Sequence, residues 1–242
     1  MSSGPRTIRY GDDPSQFGEL SLPVGRARGV VVVIHGGFWR AAYGLDLGRP
    51  LARSLVEHGW AAWNVEYRRV GNGGGAPETL DDVAHAIDAL AETDLPRDHV
   101  VTVGHSAGAH LATWAASRGR HPRWPARVAI TGVVSQAGVV DLRRAHDEHL
   151  GNGAVEAFLG HPPGPDDDPV DPLQQLPLDV PVHCVHGVDD DVVPVSQSRT
   201  YVAAARARGA TATLTEVPGD HFVVIDPAGE AWAQTLEILD GL

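Results

Sequence analysis

The sequence predicts an α/β protein with a central, mostly parallel sheet flanked by helices and a small cap inserted between strands. Three observations carry this expectation. Six short apolar runs recur along the chain, most of them rich in β-branched residues. Helical patterns separate most of them, and strands alternating with helices imply right-handed crossovers and parallel pairing. The 242 residues, 43% hydrophobic and 21% charged, have an ordinary globular composition and suit one large domain.

The first run, Gly29–His35 ("GVVVVIH"), is continuous and β-branched, as expected of a strand buried on both faces. Trp60–Arg68, His99–His105, Val128–Ala137, Val180–Gly187 and Ala212–Gly219 supply the others. Ahead of them, "RTIRYG" and "GELSLP" are shorter and more polar and predict an antiparallel hairpin on the sheet edge. Among the helices, Arg49–Gly59 ends on a glycine. Pro77–Thr93 sets Leu80, Val83, Ala84, Ile87 and Leu90 on one face and opens on proline and acids. Further helices follow in "AGAHLATWAASRG", Ser196–Gly209 and Pro227–Leu242. Asp141–Asp179, rich in Pro, Asp and Gly, breaks the alternation. Residues 142–179 therefore read as a cap or lid within a single domain spanning 1–242. No internal repeat is visible.

Charge narrows the function classes. The formal net charge is −12, from 31 acidic and 19 basic residues. Phosphate binding needs a basic surface, so no nucleic acid and no membrane is expected as a partner. The one cysteine, Cys184, permits no internal disulfide. The start, "MSSGPRTIRYGDDPSQ", lacks the apolar core of a secretory signal, and the longest clean apolar run, Val30–Ile34, is too short to span a bilayer. The expectation is a cytoplasmic protein.

"VTVGHSAGAH" places a hydroxyl at the end of a buried strand between residues with little or no side chain. Gly104-His105-Ser106-Ala107-Gly108 fits G-x-S-x-G, with a strand before it and a helix after it. A sharp strand-to-helix turn strains the central residue and demands small neighbours two positions away. It lifts Ser106 Oγ above the sheet, beside the Ala107 amide and the positive end of a helix. A serine is a weak nucleophile until a base takes its proton. Of the 13 histidines, His221 alone lies beyond the fifth run, in "PGDHF". "VHGVDDDVVP" supplies an acid just past that run: spacing favours Asp190, with Asp189 and Asp191 as neighbours that solvate or bond the loop. Asp141 is the structural alternative. The order Ser106, Asp190, His221 is that of one hydrolase class. "HGGFWR" (His35–Arg40) follows the first buried run, and the amides of Gly37 or Phe38, with Ala107, are the expected oxyanion donors.

On "HGGFW", "GHSAG", "HGVDDDVVP" and "GDHF", the chain resembles the α/β-hydrolase superfamily from about Ile8 to Leu242. The resemblance implies the α/β-hydrolase fold, a Ser–His–Asp triad, no cofactor, and Asp190 as the acid four residues after the histidine of HGxxD. Within it, "HGGFW" is most similar to the HGGxW motif of kynurenine formamidase (arylformamidase)-like esterases, as are "YGDDPSQFGELSLP" and "EYRRVGNGG". Phe38 stands where lipase-like esterases carry a third glycine. Ser106 departs from the cysteine of dienelactone hydrolases and the aspartate of haloalkane dehalogenases and epoxide hydrolases.

His35 reads as a brace of the oxyanion loop more than as a proton relay. Phe38, Trp39 and His105 are the candidate substrate-pocket residues, although Trp39 suits a core plug equally and Arg40 an exposed position. His183, Cys184 and His186 invite a metal, but alternation puts His183 and Cys184 on opposite faces, so no metal is expected. His146, His149, His161 and Asp166–Asp168 read as solvated loop residues. The function expected is hydrolysis of a small-molecule ester or aryl-formamide through an acyl-enzyme. The alternatives are a small-peptide or amide hydrolase of the same fold and a non-catalytic binding protein on a hydrolase scaffold. A homodimer is left open, since no segment marks an interface.

Overall fold

The computed structural model describes residues 4–242. Eight strands form one sheet: β1 (Arg6–Arg9), β2 (Phe17–Ser21), β3 (Val30–Ile34), β4 (Ala61–Val65), β5 (Val100–His105), β6 (Gly132–Gln136), β7 (Val182–Gly187) and β8 (Ala212–Val217). Their order is β1-β2-β4-β3-β5-β6-β7-β8. The expected edge hairpin is present: β1 pairs with β2, and β2 with β4, antiparallel. All other pairings are parallel.

Period-two alternation fills both faces of the sheet. Val30, Val32 and Ile34 point into the larger apolar cluster, Val31 and Val33 into the smaller. The helices α2 (Glu78–Asp88), α3 (Ala107–Ala115) and α6 (Ser196–Ala207) cover the first face, burying among others Leu80, Leu111 and Tyr201. The helices α1 (Arg49–Glu57) and α7 (Glu230–Gly241) cover the second through Leu51, Leu55, Trp232 and Leu239. Between β6 and β7 lie α4 (Leu142–Asp147), α5 (Ala154–Leu159) and a 3-10 turn at Pro165–Val170. This segment sends Leu142, Ala145, Phe158 and Val170 into the larger cluster.

Several elements are shorter than their patterns, and two of them start well inside the expected run. The run Val128–Ala137 becomes a strand only from Gly132. At its front the Asp88 carboxylate accepts from the Arg127 and Val128 amides, and the buried Arg118 guanidinium, paired with Asp88, reaches the Val128 carbonyl. A side-chain ion pair thus takes the backbone groups a ladder would use. α7 starts at Glu230 and not at Pro227, because the Asp226 carboxylate closes a turn on the Ala228 amide at 3.0 Å.

Candidate active site

β5 ends at His105 and α3 begins at Ala107, so Ser106 alone makes the corner, with φ 57° and ψ −120°. A non-glycine residue with positive φ is strained and persists only where its surroundings hold it. Here the Ser106 amide donates to the Gln136 carbonyl at 2.8 Å, and the Gln136 side chain is itself fixed by the Val224 carbonyl at 2.7 Å. Ala107 opens α3, so its amide belongs to a first turn that has no helical acceptor.

The loop after β3 lies directly against this corner. A β-carbon on Gly36 would sit 2.7 Å from the His105 carbonyl oxygen and 3.0 Å from Ser106 Cβ. The next three residues carry positive φ: Gly37 at 108°, Phe38 at 50° and Trp39 at 54°. The expected donors Gly37 and Phe38 therefore belong to a left-handed stretch packed beside Ser106. A network beneath fixes that stretch. His35 stacks on Tyr67 at 4.4 Å between centroids, and its ring nitrogens lie 2.9 Å from Glu66 Oε1 and 2.8 Å from the Gly36 carbonyl. Tyr67 donates its hydroxyl to the His35 carbonyl at 2.6 Å. Glu66 also accepts from the Leu45 and Tyr67 amides and pairs with Arg69. These contacts make His35 a brace. Glu66 and Tyr67 are supports that sequence reasoning missed; the signal was their place just past the carboxyl end of β4.

The acid and base loops are laced together. The Asp189 amide donates to the Gly219 carbonyl at 3.0 Å, and the Gly219 amide lies 3.3 Å from Asp189 Oδ2. Across this junction His221 Nδ1 donates to Asp190 Oδ2 at 2.7 Å, with Asp190 8% and His221 3% exposed. Burial works to raise the Asp190 carboxyl, but donors from His186, His221 and the Val193 amide outweigh it and hold it well below the usual carboxylate range. With Nδ1 committed to Asp190, Nε2 is the ring edge left for Ser106. Among the described residues, Ser106 Oγ and the His221 ring do not form a hydrogen bond; such contacts often close only around a substrate. Asp141 is occupied elsewhere: its side chain caps α4 by accepting from the Arg144 amide at 3.0 Å.

The three pocket candidates part company. Phe38 is partly exposed and lies under Arg40, whose guanidinium is 5.9 Å from the ring and reaches the Gly151 carbonyl of the 142–179 segment. Trp39 is a correction: it is fully buried, stacked on Phe158 at 4.6 Å and edge-on to His110 at 5.2 Å, because an indole next to α3 finds more apolar surface below the loop than in a cleft. His105 is 6% exposed and holds the His221 backbone, Nε2 lying 3.0 Å from that carbonyl. Its burial, with His221 close by, pushes its pKa down to about 3. Phe222 was overlooked: 59% exposed, its ring stands 5.3 Å from that of His221. Of the residues weighed for a metal, His183 bonds Thr213 at 2.7 Å, Cys184 is buried in the larger cluster, and both His186 nitrogens have partners.

A mostly parallel sheet with a strained serine corner after β5, and an aspartate and a histidine in the loops after β7 and β8, defines the α/β-hydrolase class. Residues 21–204 match the BD-FAE family model, and the chain belongs to that α/β-hydrolase esterase family. It is 29% identical to "Esterase LipQ" of Mycobacterium tuberculosis over 216 residues, 83% of this chain and 51% of that protein. "Esterase LipC" of the same organism is 27% identical over 84% of this chain and 55% of its own length. The chain thus spans about half the length of these curated relatives. Esterase B from Lactobacillus rhamnosis superposes with a TM-score of 0.84 at 24% identity, over 98% of this chain and 84% of that one. A carbohydrate esterase from gut microbiota gives 0.79 at 19% identity, over 100% of this chain and 95% of that one. No helix among the described residues is long and apolar enough to cross a membrane.

Proposed function

We propose that this chain is a serine esterase acting on carboxylic esters of small molecules through an acyl-enzyme. Ser106 Oγ attacks the ester carbonyl while His221 Nε2 takes its proton. The imidazolium then gives that proton to the departing alkoxide, and water, activated by the same ring, releases the acid. Asp190 holds the tautomer with the proton on Nδ1 and faces the charge that His221 acquires. The Gly37 or Phe38 amide, with Ala107, receives the oxyanion; one such donor typically contributes about 3 kcal/mol. The observation that carries this reading is the buried 2.7 Å contact between Asp190 and His221, two residues from separate loops, with the His221 carbonyl held by His105, the residue before Ser106.

The esterase names of the relatives agree with an ester substrate. The exposed Tyr43 ring against Gly37, and Phe222 against His221, give the mouth of the site an apolar rim suited to small uncharged esters. Aryl-formamide cleavage is the finer reading, supported by "HGGFW". The test is labelling with a fluorophosphonate, with p-nitrophenyl esters of rising chain length run beside N-formylkynurenine. Labelling that is lost in Ser106→Ala, together with ester turnover, is expected. Folded protein that neither labels nor turns over would favour a binding protein. Preference for the formamide would establish the finer reading, and activity on esters alone would remove it.

A further inference from the structure

We propose that His186 is a positioning residue for Asp190: its Nε2–H ties the Val193 carbonyl of the acid loop to β7 and sets the positive ring edge against the carboxylate oxygen that faces His221. This rests on the serine-esterase reading.

An ionised carboxylate offers about four acceptor sites. In Asp190, Oδ1 accepts from the Val192 amide at 2.9 Å and the Val193 amide at 2.8 Å. Oδ2 accepts from His221 Nδ1 at 2.7 Å and lies 3.2 Å from His186 Nε2. Three of these groups come from Asp190's own loop or from the base itself. His186 is the fourth, and it stands on β7, the rigid element from which the acid loop departs.

The proton positions follow from the partners. His186 Nε2 is also 2.8 Å from the Val193 carbonyl, which can only accept, so Nε2 carries a hydrogen. That hydrogen is directed to the carbonyl, and the same nitrogen stands 3.2 Å from Asp190 Oδ2, close enough for its positive edge to act on the carboxylate. On the other edge, Nδ1 lies 2.8 Å from Ser198 Oγ of α6, which donates to it in the neutral ring. His186 and Ser198 are both fully buried. The imidazole is thus pinned at both ends and cannot turn without leaving a buried polar atom unpaired, which gives it the rigidity a support needs.

A positive ring edge beside the carboxylate also offsets part of the charge it presents to its partner. Without His186, Asp190 would present more negative charge to His221, favour the imidazolium, and move the loss of the free base to higher pH. The ionisable groups around the pair are His105 from β5, Cys184 and His186 from β7, Glu216 from β8 (paired with Arg199 of α6), and Asp189 and Asp220 in the two loops. Only His186 and His221 among them touch the Asp190 carboxylate.

The experiment compares wild type with His186→Leu, His186→Gln and Ser198→Ala, using p-nitrophenyl acetate between pH 5 and 9 and fluorophosphonate labelling to count folded sites. In His186→Leu, kcat falls about tenfold with KM within twofold, and the acid limb of kcat/KM moves up by about 0.5–1 pH unit, tenfold being one unit. His186→Gln, whose amide Nε2 donates from a similar point, recovers most of kcat. Ser198→Ala shifts the limb in the same direction by less. A fully labelled His186→Leu with wild-type kcat and an unmoved limb overturns the proposal. If that variant does not fold, an unmoved limb in Ser198→Ala does so. A wild type without turnover sinks the esterase reading alone; loss of the downfield His221 Nδ1 proton signal in His186→Leu then still supports the positioning role, and its retention refutes it.

Discussion

A β-carbon on Gly108 would lie 2.1 Å from the carbonyl oxygen of Ile34. α3 therefore crosses the end of β3 at a distance only glycine allows, and Gly104 stands in the same relation to Gly108, at 2.2 Å. These approaches set how far Ser106 projects. Backbone on both sides cannot give way cheaply, so Gly108→Ala is expected to cost about 1–3 kcal/mol in urea denaturation. It should also abolish fluorophosphonate labelling. Full labelling at unchanged stability would show that the corner does not depend on this contact.

The two candidate acids separate by substitution. Asp190→Asn keeps the shape but withdraws the acceptor that selects the His221 tautomer, and kcat is expected to fall by about 10⁴. Asp141→Ala removes a helix cap, for about 1 kcal/mol of stability, and leaves kcat within a few-fold. Steady-state kinetics on both variants, with thermal melts, checks the assignment; a reversal of the two effects would transfer the role to Asp141.

Glu66 holds the oxyanion loop from beneath through His35 and Leu45 while neutralising the buried Arg69. Glu66→Gln leaves that guanidinium without a counter-charge, a loss of about 3–5 kcal/mol for a buried pair broken on one side. Because the loop is loosened and not removed, kcat should drop more than KM rises. Calorimetry and kinetics measure the two effects; an unchanged kcat would confine Glu66 to stability.

Asp171 links stability to pH. Its side chain is buried, and burial, together with Asp141 nearby, pushes its pKa up to about 7. The folded chain therefore keeps a proton that the unfolded chain, at an ordinary carboxyl pKa of about 4, releases. This contribution is complete below that lower value and is lost as pH rises through 7. Asp171→Asn has no such proton to lose. It is expected to be more stable than wild type at pH 8 by roughly 1–3 kcal/mol, the gap closing toward pH 4. Parallel denaturation curves at all pH values would contradict this.

Much of the fold was legible in order. The apolar runs that became β3, β5 and β7 were found within a residue or two, because a strand buried on both faces must be continuously apolar. The glycines of "GHSAG" and "HGG" marked turns that their own lack of side chains permits. What local pattern could not show was who sits beside whom. Trp39 looks the same in sequence whether it lines a cleft or plugs a core, and Val128–Thr131 reads as strand until Asp88 and Arg118 claim its backbone.

The sequence by itself determined the element order, the serine corner and the three residues proposed for the chemistry, since each depends on residue type and near neighbours. The tertiary structure alone decided the supports: Glu66 under the oxyanion loop, His105 under His221, and His186 on Asp190. Their roles arise from hydrogen bonds between strands and loops far apart in the chain, and the energy of such a bond depends on distance and burial, which no run of letters states.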